Sequence, residues 1–301
     1  MKKIFLSLLL VIASTVVCNA QLLYRISHEN LEKPSYIVGT YHLAPASFID
    51  SISGAKAVLD AVDVVCGEVV MSEMESRENQ RKVMEAMTLP DGKSLADVLT
   101  VDEMQRLNAY MDKLLGMNLD NPLLKSQMGK MTPMALSTQL QVVQYMKLTP
   151  GFNSMKLIDA HFQNVAKKAG KTIAGLETVD FQIETLYKGT EIERQKQQLL
   201  CMVDNDEYYA LQMKELSAAF FAQDMQALQE ITEEKIGNQC DSTPQEEEAL
   251  IYGRNAAWAV KMPAMMGDAS TLFVVGAAHL PGEKGVLEML KAKGYTVEAV
   301  K

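Results

Sequence analysis

The sequence predicts an α/β protein: a helix-covered mixed β-sheet with a largely parallel core and a long helical insertion. Three observations carry this expectation. The strand-like runs are few, short and apolar, as in a sheet buried on both faces. Segments of helical period separate most of them, the pattern of crossover connections. Between about residues 73 and 150 the chain reads almost wholly as helix, punctuated by Pro122, Pro133 and Pro150.

Taken in order, residues 1–20 read as a targeting segment rather than as fold. Lys2 and Lys3 precede an apolar run from Ile4 to Val17, and Ala20 offers a small-residue cut site. The run is short for a membrane span. A lipoprotein cut before Cys18 would want a small residue ahead of it, where Val17 stands. The expected product is therefore one exported domain, residues 21–301, periplasmic or secreted.

Leu22 to Ile26 and Tyr36 to Val38 read as two strands of a hairpin. Ser53 to Ala61 reads as a short helix, and Val62 to Cys66 as a buried strand with Glu68 at its end. Residues 73–88 are helical in period. Thr100 with Glu103 three residues on is a capping box opening a further helix. Met155 to Ala169 is amphipathic, and Gly170 is a natural stop. Lys171 to Ala174 is a short strand followed by Glu177. Residues 179–235 and 245–266 read as helix around a loop at Gln239–Pro244. Thr271 to Val275 is a strand, Glu283 to Lys293 a helix, and Tyr295 to Ala299 a last strand.

Composition narrows the partners. The net charge is -9, so no basic excess exists to neutralise phosphates, which argues against nucleic acid. Beyond residue 20 no uncharged apolar stretch is long enough for a membrane span. Of the four cysteines, Cys66 sits in an apolar strand-like run and reads as a buried free thiol, and Cys201 with Cys240 is the better pair. No CxxC occurs. The twenty methionines fall mostly at helical spacing with leucines, as at Met104, Met111, Met131 and Met134, and read as core filling. The competing reading is an adaptable groove for apolar peptides.

The chemistry-bearing residues gather at strand ends. Only four histidines occur, and two of them, His42 and His279, each follow an apolar strand in a Gly-x-x-His setting. Ligands of open α/β sheets bind beyond the carboxyl ends of strands, so two such ends can aim both imidazoles into one crevice. Glu68 and Glu177 end two further strands. Two His with one or two Glu suit Zn, Mn, Co or Fe with positions left for water. Against this stand ordinary readings: unrelated core or surface histidines, and carboxylates that cap helices, as Glu177 can beside Thr178. Arg254 and Asn255 lie in an otherwise apolar helix with Trp258, where an Arg stabilises an oxyanion or makes a structural ion pair. His28, and His161 on the helix that also carries Asp159, read as structural or surface residues. No G-x-S-x-G, H-E-x-x-H, P-loop or G-x-G-x-x-G occurs.

Together these pieces resemble the TraB/GumN family, which includes the Tiki-type proteases. The matching stretches are Tyr36 to His42, Val64 to Glu68, Ile158-Asp159 through Gly170 to Thr178, Arg254-Asn255, and Phe273 to Tyr295 with Gly276-Ala277-Ala278-His279 inside it. The helical middle carries no matching motif. The resemblance implies a fold like that of the erythromycin-esterase and ChaN group and a metal-dependent hydrolase, of peptidase type for the Tiki branch. On that basis His42, Glu68 and His279 are the expected metal residues for Mn, Co or Zn. Glu177 is the expected general base or fourth ligand, and Arg254 the expected stabiliser of negative charge, acting on a peptide or small-molecule substrate. ChaN-like relatives bind haem, so the resemblance also admits a protein that binds haem, a peptide or another small ligand without turnover.

Overall fold

The computed structural model describes residues 21–301, and the targeting and lipidation readings fall on residues 1–20, outside the described residues. One six-stranded sheet carries the fold. Its strands are β1 (Leu23–Ser27), β2 (Ser35–Thr40), β3 (Val64–Gly67), β4 (Thr172–Gly175), β5 (Thr271–Gly276) and β6 (Thr296–Ala299). In space they run β4-β3-β5-β2-β1-β6. β1 pairs antiparallel with β2 and with β6, and the four strands β4, β3, β5 and β2 are parallel. The mixed sheet with a largely parallel core is as the sequence predicts.

β5 is the last of the four parallel strands in the chain, yet it lies between β3 and β2. Its sequence, TLFVVG, is buried from Thr271 through Val275. Each large apolar side chain removed from water there contributes about 1.5–3 kcal/mol before entropy is counted. Register brings the parallel strands to a common edge. Thr40 sits opposite Gly276, Gly67 opposite Val274, and Gly67 opposite Gly175. His42, Glu68, Glu177 and His279 all follow directly from that edge.

The longer helices are α1 (Ala55–Ala61), α2 (Arg77–Ala86), α3 (Val101–Leu115), α4 (Pro133–Leu148), α5 (Ile158–Lys168), α6 (Ile192–Asp204), α7 (Asp206–Phe221), α8 (Met225–Glu233), α9 (Gly253–Asp268) and α10 (Val286–Ala292). Thr100 and Glu103 form the expected capping box at the start of α3. α5 ends before Gly170, whose φ of 74° lies in the left-handed region that glycine tolerates. It starts three residues later than its amphipathic pattern, where the Lys156 carbonyl and the Ile158 N–H bond the backbone of Ala46 and Ala44 in a short bridge.

Residues 179–235 are mostly helical, as expected, but in several pieces. A short helix, Val179–Ile183, runs into a π-helical turn, Glu184–Lys188. Breaks follow before α6, at Asn205, and at Gln223, a non-glycine residue with φ 58°. The helix expected over 245–266 likewise contains a π-helical turn, Glu248–Tyr252, immediately before α9. Periodicity cannot register one inserted residue per turn, so both π turns were invisible to it.

Two large apolar clusters, with a small third one of Ala86, Val179 and Ile183, fill the described part of the molecule. The larger wraps the sheet and includes Ile37, Val65, Phe162, Phe220, Trp258, Phe273 and Leu280. The second joins α3 and α4 of the helical middle to α6 through Leu107, Met111, Leu136, Leu140, Leu199 and Met202. Buried methionines sit in both, among them Met111 and Met262. Cys201 and Cys240 are disulfide-bonded, and Cys66 is a buried free thiol, both as expected. Burial pushes the Cys66 thiol up to about 12, so it holds its proton. No described helix is long and apolar enough to cross a membrane.

Candidate functional site

Both Gly-x-x-His motifs leave the common strand edge, and they leave it into one space. A Cβ placed on Gly276 would sit 3.4 Å from Glu68 Oε1, 3.4 Å from His279 Cδ2 and 3.8 Å from His42 Nε2. The two imidazoles are thus no more than roughly 7 Å apart at these atoms, well inside the ~10 Å beyond which ligand bonds near 2 Å could not share an ion. Gly276 has an ordinary φ of -56°. A Cβ there would meet the three groups at ordinary contact distance, so the position marks where they converge.

The histidines are alike in sequence and different in setting. His42 is exposed at the rim, and its Nδ1 lies 3.3 Å from Asp159 Oδ2. Asp159, in the first turn of α5, is held by the Thr40 hydroxyl, which donates to Oδ1 at 2.5 Å. The hydrogen bond to Asp159 raises His42 to about 9, against the opposing effect of desolvation. His279 is buried, and its Nδ1 lies 2.7 Å from Asn255 Oδ1. Asn255 Nδ2 donates to the Lys284 carbonyl at 2.9 Å, which fixes the amide and makes its oxygen the acceptor. His279 therefore carries its proton on Nδ1. Burial lowers its pKa to about 4, so the ring is neutral.

Arg254 occupies the middle of the cluster. Nε donates to Glu177 Oε1 at 2.8 Å, and Nη2 donates to Glu68 Oε2 at 2.6 Å and Glu177 Oε2 at 3.0 Å. Nη1 donates to the Leu250 carbonyl at 3.1 Å and lies 3.3 Å from His279 Nε2. A guanidinium has five N–H groups, and these contacts engage all of them. The π turn before α9 supplies Leu250, and one helical turn beyond Arg254 the Trp258 ring lies 5.0 Å from its guanidinium carbon.

Glu177 is equally engaged. Besides Arg254 it accepts from Trp258 Nε1 at 2.8 Å and from Gln182 Nε2 at 3.2 Å. Glu68 accepts from Gln182 on Oε2 at 3.3 Å and from the Gly276 N–H on Oε1 at 2.8 Å. Burial alone would raise the Glu68 carboxyl. Arg254 and the charged His42, with the Gly276 N–H, outweigh it and hold the group below the ordinary glutamate value.

All five residues expected from the sequence, His42, Glu68, Glu177, Arg254 and His279, thus meet at one place. Sequence reading missed Gln182, which bridges the two carboxylates. Its signal was slight: a polar residue on the first turns of helix after a strand end. Asp159 and Asn255 were noticed without the roles they take here, each orienting one imidazole. His161 lies further along α5, and His28 packs against Tyr295, so both stand apart from the cluster.

A metal was tested against these donors. Two imidazoles with oriented Nδ1 atoms and a carboxylate are suitable types. Their free valences are not. His279 Nε2 faces Arg254 Nη1, Glu68 Oε2 faces Arg254 Nη2, and Glu177 has four donors on its two oxygens. Only His42 Nε2 and one side of Glu68 Oε1 stay open. Among the described residues no three His, Cys, Asp or Glu side chains form a group able to hold an ion. The residues as arranged do not fit a metal held by His42, Glu68 and His279.

Comparison with known proteins gives one match. The model of the TraB/PrgY/gumN family fits residues 22–299, nearly the whole chain. No curated protein and no solved structure matches.

Proposed function

The chain belongs to the TraB/PrgY/gumN family, and from that premise we propose that it is an exported hydrolase of acyl bonds, of peptidase type. The observation that carries the reading is the convergence of His42 Nε2 and Glu68 Oε1 on the space beside Gly276. Neighbouring groups pushed to opposite protonation states divide acid from base work. Glu68, ionised at rest, orients a water and takes one of its protons as the water oxygen bonds to the acyl carbon. His42, charged through Asp159, delivers a proton to the departing nitrogen or oxygen as the bond to carbon breaks. Arg254 and Glu177 then act as positioning residues, because neither has a group left to offer the substrate. No step is drawn through a metal. The Cys201–Cys240 disulfide supports an oxidising compartment, consistent with export.

The test is a hydrolysis screen on residues 21–301 with peptide and ester libraries, read by mass spectrometry. Wild type should cleave a subset, and His42→Ala and Glu68→Gln should each lose at least about 100-fold, the usual weight of an acid–base group. A folded wild type that cleaves nothing yet retains a peptide or haem on titration would replace the hydrolase with a binding protein. For haem this centre offers one accessible imidazole, His42, since His279 is buried against Arg254 and Asn255.

A further inference from the structure

We infer that Arg254 is the resident cation of this centre, holding the donors a divalent ion would otherwise take, so that the native protein carries no metal at His279. The inference does not depend on which bond the protein cleaves. It concerns only what neutralises Glu68 and Glu177.

Three geometric facts support it. First, the guanidinium touches the three inner groups a metal would need, Glu68 Oε2, both oxygens of Glu177 and His279 Nε2. Second, the tautomer of His279 is fixed from outside. Asn255 takes the Nδ1 proton and is itself pinned by the Lys284 carbonyl, so Nε2 must present its lone pair to Arg254. Third, Arg254 cannot easily leave. The Leu250 carbonyl holds Nη1, and the buried Trp258 indole, which lies beside the guanidinium and packs on the His279 ring at 4.4 Å, donates to Glu177. An ion entering the inner site would have to displace a cation that two buried carboxylates and a carbonyl retain. Two positive charges side by side with few solvent molecules between them repel strongly.

The converse follows. With Arg254 gone, two carboxylates and a neutral imidazole with its lone pair pointing inward remain around one space, a set that suits Zn, Co or Mn. Arg254→Ala should therefore create the metal site that the wild type lacks.

The experiment is a metal titration of the chelator-treated mature chain, residues 21–301, with Zn²⁺, Co²⁺ and Mn²⁺ alone. Uptake is followed by calorimetry and by the visible bands of bound Co²⁺. Wild type should show no stoichiometric uptake sensitive to His279→Ala. Arg254→Ala should take up one equivalent of Co²⁺, and Arg254→Ala with His279→Ala should lose it. Should the alanine variant fail to fold, the wild-type titration with its His279→Ala control still decides, and Arg254→Lys carries the second arm. Lysine keeps the charge without the five-donor fork, and should leave the centre metal-free or nearly so. One equivalent bound by wild type and lost in His279→Ala overturns the inference and leaves the hydrolase proposal standing. A folded Arg254→Ala that binds no metal overturns it as well. A metal-free wild type that hydrolyses nothing removes only the hydrolase.

Discussion

Glu177→Gln separates a structural anion from a catalytic one. The glutamate side chain is 3% exposed, and four N–H donors converge on its two oxygens: Arg254 Nε and Nη2, Trp258 Nε1 and Gln182 Nε2. Glutamine keeps the shape and replaces one oxygen with an NH₂ group. That group must face two of the four donors, whichever way the amide turns. Two hydrogen bonds are lost, at least one of them to a charged partner and worth about 1.5–3 kcal/mol, and Arg254 loses one of its two buried counter-charges. Breaking a buried ion pair on one side costs about 3–5 kcal/mol, and the lost bonds belong to that same figure. The expected destabilisation is therefore about 4 kcal/mol, with Tm lower by roughly 10 °C for a domain of this size. Urea unfolding followed by tryptophan fluorescence suits the assay, because Trp258 is the single tryptophan and touches the altered group. A loss below about 1 kcal/mol would refute the reasoning. It would mean that Glu177 is loosely held and free to act as a base or a ligand.

Further outcomes follow from other contacts. Gly67→Ala would place a Cβ 2.2 Å from Gln163 Nε2 and 2.9 Å from the Val69 carbonyl. Gln163 would have to give up its bonds to the Val69 carbonyl and the Met71 N–H, so denaturant unfolding should show a loss of about 2–4 kcal/mol. Reducing the Cys201–Cys240 disulfide opens a loop spanning a sequence separation of 39, which the chain-entropy model values at about 4 kcal/mol. Arg194 also grips that loop through the Gln239 and Asp241 carbonyls and Glu246, so thermal unfolding should shift while the far-UV spectrum at 25 °C stays unchanged. His42 should titrate near 9 by NMR, and Asp159→Asn should return it toward the ordinary histidine value. Because the folded value is raised, the pair favours the folded state below the ordinary histidine pKa, and that contribution fades as pH climbs toward 9. The ring is 69% exposed, so solvent screens the pair and the global stability change should be small. An unchanged His42 titration in Asp159→Asn would remove the pairing from the account.

Much of the centre was legible in the sequence because chemistry and topology coincide there. β3 and β5 are apolar enough to be recognised as strands, and a charged or ring-bearing residue just past such a strand has few places to go except the sheet edge. His42, Glu68, Glu177 and His279 were found in that way. Their division of labour was not legible. Nothing in the string says that Arg254 reaches both carboxylates, because that depends on a π turn placing α9, and a single inserted residue leaves no periodic trace. The two Gly-x-x-His motifs look equivalent, yet Asp159 and Asn255 come from different helices and give one ring a charge and the other a neutral lone pair. The helical middle reads as an insertion, and its apolar residues form a core with the later helix α6, a partner that helical period alone cannot assign.

The place of β5 between β3 and β2 has a consequence for how the molecule comes into being. Until Thr271–Gly276 arrives, β2 and β3 have no common neighbour, and the sheet exists only as two unjoined fragments with unpaired inner edges. A chain delivered from its N-terminus must therefore hold most of its length in an unfinished state, slow to close and open to edge-to-edge association. When β5 does enter, it unites the fragments and carries His279 and the Gly276 N–H to Glu68 in the same movement. Completion of the sheet and assembly of the cluster are one event, so a chain cut short of β5 would lack the sheet's centre and the cluster together.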